Sequence, residues 1–310
     1  MRFRDRIWLR RFTQPTAAAW SRHVKPQPLT KLAAPVPAAR PPSGMPLLDK
    51  SARMRERRTR YVLACFGILL GAFALVHVPR YFDLPLETWI NSYAGRPIPD
   101  RLFYDLDTYF IFSGAIVVAL IWSCWFGSAD PDMRARLIAG IGAAIAAGAI
   151  SRFLQHILTT HPRPFYDPAL GFHLPSVTNP DPLNTWNSFP SDHAAVFFGL
   201  AAVVTLARPK LGYLAFVWLA FVESSRSYVG AHYPSDLIGG AALGIGMVWT
   251  AQTDRIVTLG RRIAAWEQSS PALFYMAAFL LSYELAIIFA DIRSIVGAMT
   301  LIHELRHIVG

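Results

Sequence analysis

The stretch "SRSYVGAHYPSD", residues 225–236, lies between two oily runs, "LGYLAFVWLAFVE" at 211–223 and "LIGGAALGIGMVW" at 237–249. An arginine, a histidine and an aspartate at the edge of a hydrocarbon layer are expensive, and such groups usually carry function. The runs on either side set the fold class. Of the 310 residues, 53% are hydrophobic and 16% charged, against about 25% charged in an ordinary soluble domain. Composition therefore predicts an all-α integral membrane protein.

The formal net charge of +10 is unevenly placed: residues 1–60 hold 15 of the 30 Lys and Arg and 3 of the 20 acids. The basicity belongs to the N-terminal segment, and no nucleic-acid partner is expected. "MRFRDRIWLRRF" alternates basic and apolar residues, and "KPQPLTKLAAPVPAARPPSG" is too rich in Pro and Ala to build a core. Residues 1–60 thus read as a largely disordered basic cytoplasmic tail. Cys65 and Cys124 both fall in apolar runs and read as small buried hydrophobes. The first apolar run begins at Tyr61, too late for a cleavable signal peptide, so it is expected to stay as an anchor.

Apolar runs predict seven helices, at 61–79, 108–126, 137–160, 192–208, 211–229, 235–251 and 271–290. Each needs about 20 residues to cross the bilayer. Residues 61–290 make the transmembrane domain. The tail "RSIVGAMTLIHELRHIVG" is too short and too charged to cross again and suits an interfacial helix over 291–310. Arginines crowd the segment before residue 61 and the connections 127–136, 208–210 and 252–264, whereas 165–191 has no Lys or Arg. The positive-inside rule then puts the N-terminus in the cytoplasm.

Three polar clusters fall at the outer helix ends: "RFLQHILTTHPRPFYDP" closing the third helix, "NSFPSDHAAV" opening the fourth, and "SRSYVGAHYPSD" between the fifth and sixth. The alternation of spans puts all three on one membrane face. Taken singly, each reads as a helix cap or a turn. Taken together they resemble the type 2 phosphatidic acid phosphatase family, whose pattern is KxxxxxxRP, PSGH and SRxxxxxHxxxD. Here Ser225, Arg226, His232 and Asp236 match the last block in full. Pro190, Ser191, Asp192 and His193 match the second except that Asp192 replaces glycine. Arg163 and Pro164 match the first, with His156 at the lysine position. "PSDH" and "YVGAHYPSD" also resemble the bacterial undecaprenyl-diphosphate phosphatases of that family.

The resemblance implies a six-helix core, to which this chain adds a seventh span, and a phosphohistidine mechanism. His232 would be the nucleophile, Asp236 its orienting acid and His193 the proton donor. Arg163 and Arg226 supply planar forks suited to phosphate oxygens, and Ser191 with the backbone N–H groups opening the fourth helix would add donors. Asp192 is expected to point away as an N-cap. Arg152, one helical turn before His156, is expected to reach the phosphate in place of the missing lysine. Glu223 is expected to pair with Arg226 inside the membrane. Two arginines would repel a cation, so no metal and no cofactor is expected. The substrate class is a phosphorylated lipid in the membrane, with a polyprenyl diphosphate preferred over phosphatidate, phosphatidylglycerol phosphate or lipid A. The competing readings are a lipid phosphotransferase using the same residues, and a catalytically weak lipid-binding or assembly partner.

Overall fold

The computed structural model describes residues 47–78, 81–158, 160–176 and 187–292. The basic segment 1–46 and the stretch 293–310, read above as a disordered tail and an interfacial helix, lie outside these. Among the described residues there are ten α-helices and no strand. They are α1 (Leu47–Val76), α2 (Asp83–Asn91), α3 (Pro97–Thr108), α4 (Ile116–Phe126), α5 (Pro131–Ile157), α6 (Asp192–Ala207), α7 (Pro209–Tyr228), α8 (Pro234–Thr250), α9 (Asp254–Ser269) and α10 (Pro271–Ala286).

Five of these helices, α3, α5, α7, α8 and α10, have proline as their first residue. The missing N–H of proline costs nothing there, since the first N–H groups of a helix have no partner in the helix. The Asp130 side chain caps α5 by accepting from the Asp132 N–H at 2.9 Å.

Each predicted span contains a helix, but the intervals between them differ from expectation. The helix of the first span reaches back to Leu47, through arginines assigned to the tail. The 80–107 connection contains α2 and α3, and the 252–264 connection contains most of α9. Hydropathy missed α2 because its inward face carries acids: Asp83 and Glu87, one turn apart, are wholly buried. A wide helical turn at Ile111–Ala115 joins α3 to α4, with a bend of 63° between the two arms.

Among the described residues, two helices, Met54–Val76 and Pro131–Ile157, are long and apolar enough to cross a membrane, or three if the bent pair counts as one. α6 and α10 are shorter apolar helices. The chain is thus a multi-pass membrane protein. Both cysteines are buried and free, as the apolar runs implied.

At the centre, α6 packs against α5, α7 and α8. Its Phe197, Leu200 and Val203 are fully enclosed, together with Leu137 of α5 and Val248 of α8. The α6–α8 approach is backbone to backbone. A Cβ at Gly240 would meet the Ser191 carbonyl oxygen, and one at Gly244 the Ala195 carbonyl oxygen. No other residue type permits that closeness. α5 and α7 end, and α6 and α8 begin, at the same end of this packed unit, where the polar blocks gather.

Candidate active site

The turn from α7 into α8 presents His232. Gly230 ends α7 at φ +76°, a conformation that suits glycine because it has no Cβ to clash. The N–H groups of Ala231 and His232 both donate to the Arg226 carbonyl, at 2.8 and 3.2 Å. The Ser227 hydroxyl donates to the His232 carbonyl at 2.9 Å. The Phe165 N–H reaches the Gly230 carbonyl at 3.1 Å, tying this turn to the segment that carries Arg163. Asp236 sits in the first turn of α8 and accepts the Tyr233 N–H on Oδ2 at 2.8 Å, half of a capping box. From α2, Asp83 accepts both the Ser235 N–H, at 3.0 Å, and its hydroxyl, at 2.6 Å. Three acids thus fix the opening of α8: Asp83, Asp236, and Asp167, which accepts the Tyr233 hydroxyl at 2.8 Å.

The start of α6 is held from α5. Ser151 and Gln155 both donate to the Pro190 carbonyl, at 2.8 and 2.7 Å. Ser191 is the N-cap, its hydroxyl accepting from the Ala194 N–H at 3.3 Å. The Ser191 N–H donates to the Asp236 carbonyl at 3.0 Å, and the His193 N–H to Asp192 Oδ1 at 3.0 Å. The Ser191, His193 and Ala194 N–H groups are therefore engaged within the protein.

The blocks converge on the two histidines. His232 is 1% exposed, Arg163 2% and Asp236 0%. Arg163 Nη1 donates to the Ala231 carbonyl at 2.6 Å and lies 3.3 Å from His232 Nε2. His232 Nδ1 stands 3.7 Å from Asp236 Oδ2. A donor at Nε2 and a carboxylate beyond Nδ1 together select the tautomer protonated on Nδ1, leaving the Nε2 lone pair toward Arg163. Burial, and then the Arg163 charge, hold the His232 pKa below that of an ordinary histidine, with Asp236 opposing, so the ring is neutral at pH 7. Burial also draws the Arg163 guanidinium down to about 10, which leaves it charged at neutral pH. On the other side, Arg226 Nη2 lies against the His193 ring, 2.8 Å from Nε2 and 2.9 Å from Nδ1, and His193 Nδ1 lies 3.1 Å from Asp192 Oδ1.

Several expectations need correcting. Asp192 does not point away and does not cap. Its carboxylate faces His193 and lies 3.9 Å from Arg152 Nη1, so two basic groups offset it. Arg152 also donates to Gln155 Oε1 at 3.3 Å, whereas His156 is exposed. Glu223 is buried and its charge acts on Arg226 from a distance, but no direct hydrogen-bonded ion pair joins the two. That place belongs to Asp107 of α3, whose Oδ1 accepts from Arg226 Nη1 at 2.7 Å. Reading the residues alone also passed over His161, whose Nε2 is 3.5 Å from Asp236 Oδ1. The signal for Asp107 and Asp83 was present as five acids in the 80–107 interval, an excess for a mere connection.

Residues 135–255 match the model of the PAP2 superfamily. That stretch of the chain resembles the PAP2 superfamily. Three relatives are informative. The bacitracin transport permease protein BcrC of Bacillus licheniformis is 42% identical over 69 residues, covering 21% of this chain and 34% of that protein. The undecaprenyl-diphosphatase BcrC of Bacillus subtilis (strain 168) is 26% identical over 146 residues, covering 47% of this chain and 69% of its own. An undecaprenyl-diphosphatase of Sulfolobus acidocaldarius is 33% identical over 106 residues, covering 33% and 45%. The chain thus spans less than half the length of the first and third of these relatives. The PAP2 match includes the 163, 190–193 and 225–236 blocks.

Proposed function

We propose that this PAP2 protein hydrolyses a phosphorylated lipid, with a polyprenyl diphosphate as the preferred class. The observation that carries the reading is the pairing of two arginines with two histidines. Arg163 stands at His232 Nε2 and Arg226 against the ring nitrogens of His193, so two charged forks flank the rings that would attack and protonate. Phosphoryl transfer asks mainly for positioning and charge stabilisation, and this cluster offers both.

In the proposed reaction His232 Nε2 attacks the terminal phosphorus. The P–O bond to the lipid monophosphate breaks, and His193 gives that leaving oxygen a proton. Asp236 steadies the Nδ1–H of the phosphorylated ring, as the acid of a serine-protease triad does. His193 then takes a proton from water, whose oxygen attacks phosphorus and releases inorganic phosphate. Arg163 and Arg226 hold the equatorial oxygens, with Arg152 adding charge where the family lysine is absent. Names of two relatives, both undecaprenyl-diphosphatases, support the choice of lipid. The crowding of arginines at the opposite helix ends supports a cytoplasmic N-terminus and an extracytoplasmic site.

The test is phosphate release from a panel of undecaprenyl diphosphate, phosphatidate, phosphatidylglycerol phosphate and lipid A, with wild type beside His232→Ala. Equal release by the two proteins would sink the mechanism. Product analysis with an added lipid or sugar acceptor separates hydrolysis from transfer.

A further inference from the structure

Asp236 has two oxygens, and the proposed mechanism uses one. Oδ2 accepts the Tyr233 N–H and faces His232. Oδ1 is wholly buried and faces a second imidazole, His161 Nε2, at 3.5 Å. His161 precedes the Arg163 segment and is itself buried. Its ring meets the Tyr233 ring edge-on, with centroids 4.6 Å apart, and its Nδ1 lies 3.0 Å from the Pro162 carbonyl and 3.1 Å from the Ser188 hydroxyl.

These neighbours determine which way the ring can serve Asp236. If the Ser188 hydroxyl donates to Nδ1, the neutral ring carries its proton on Nε2. If Nδ1 donates to the Pro162 carbonyl instead, the neutral ring turns a bare Nε2 toward the carboxylate. The first arrangement aims an N–H at Asp236 Oδ1 across 3.5 Å, and neither atom has a hydrogen-bond partner otherwise. The other carboxyl groups nearby do not compete for this place. Asp83 is taken up by Ser235, and Glu87 is buried with both oxygens unpartnered.

We propose that His161 is a positioning residue for phosphoryl transfer: it holds Asp236 by the oxygen that His232 does not use, so that the carboxylate works between two imidazoles. The inference rests on the functional reading above. When His232 becomes cationic on phosphorylation, Asp236 must keep Oδ2 toward Nδ1. Nε2 and Oδ1 stand 3.5 Å apart with no hydrogen bond formed between them; catalytic hydrogen bonds often tighten only in the reacting complex, and closing this gap there would keep the carboxylate from rotating away. His161 touches no phosphate, so it acts on turnover and leaves affinity alone.

The experiment is steady-state hydrolysis of farnesyl diphosphate in detergent micelles by wild type, His161→Phe, His161→Gln and His232→Ala. Phenylalanine keeps the ring against Tyr233 and loses the N–H. It should lower kcat about 10- to 100-fold, the worth of one hydrogen bond to a charged group, with KM nearly unchanged. Glutamine restores an N–H donor and should recover much of kcat. If His161→Phe does not fold, His161→Gln compared with His161→Leu carries the same contrast. Wild-type kcat in the apolar variant overturns the proposal, and so does a glutamine variant no better than the apolar one. A wild-type enzyme no more active than His232→Ala overturns the functional reading itself.

Discussion

Asp107 offers a direct test of how the site holds Arg226. Its carboxylate is on α3 and accepts from Arg226 Nη1 at 2.7 Å, while Nη2 of the same guanidinium reaches His193. The pair is partly enclosed, with 18% and 21% of the two side chains exposed. At 2.7 Å and an effective dielectric near 20, the Coulomb attraction is about 6 kcal/mol, most of it offset by desolvation of both partners. What survives in mutational series for a hydrogen bond to a charged group is about 1.5–3 kcal/mol. At about 1.4 kcal/mol per factor of ten, Asp107→Ala should lower kcat/KM by roughly 10- to 100-fold. Asp107→Asn, which still accepts one hydrogen bond, should fall between that and wild type. The assay is phosphate release at subsaturating lipid diphosphate, with Arg226→Ala as the lower bound. If both Asp107 variants stay within about twofold of wild type while Arg226→Ala is inactive, Arg226 does not depend on α3.

Three further outcomes are expected. Arg152→Ala should raise KM or lower kcat, whereas His156→Ala should behave as wild type, since Arg152 lies against Asp192 and His156 is exposed; the reverse result would return the lysine's role to His156. Gly230→Ala must place a side chain at φ +76° and against the Phe172 ring, 2.7 Å from its Cβ, so the thermal midpoint in detergent should fall by the equivalent of about 1–3 kcal/mol; an unchanged midpoint would show that the turn relaxes freely. Because burial holds the His232 pKa below the ordinary histidine value of about 6.5, protonation of the nucleophile sets in only below that value. The acid limb of kcat/KM should therefore lie below pH 6.5, and a limb centred above pH 7 would contradict a buried, neutral His232.

How far the sequence went follows from what each part of the fold depends on. The helices α5, α6, α7 and α8 announce themselves by apolar runs, and the Arg163, His193, His232 and Asp236 positions by spacing within local blocks. Those readings needed only local order. The partners of these residues come from elsewhere in the chain, and hydropathy hid them. Asp83, Glu87 and Asp107 lower the apolar score of α2 and α3, so the very acids that reach inward made their helices look like a loop. The surroundings of Asp192, and the direct partner of Arg226, lay beyond the sequence for a related reason. Helical spacing says which residues share a face, and it does not say which distant helix offers a better partner. Arg226 had a carboxylate three residues away on α7, yet it turns to Asp107 on α3.

The glycine contacts between α6 and α8 have a bearing on how this protein tolerates change. His193 rides on one of these helices and Asp236 on the other, and a methyl group at Gly240 would push against the carbonyl of Ser191, two residues from His193. A substitution that touches no substrate atom would therefore move the proton donor relative to the acid behind the nucleophile. Screens for altered lipid preference should find Gly240 and Gly244 as intolerant as the histidines themselves. Variation that survives should instead fall at positions such as Leu214 and Val217 on the outer face of α7, where neither histidine would register the change.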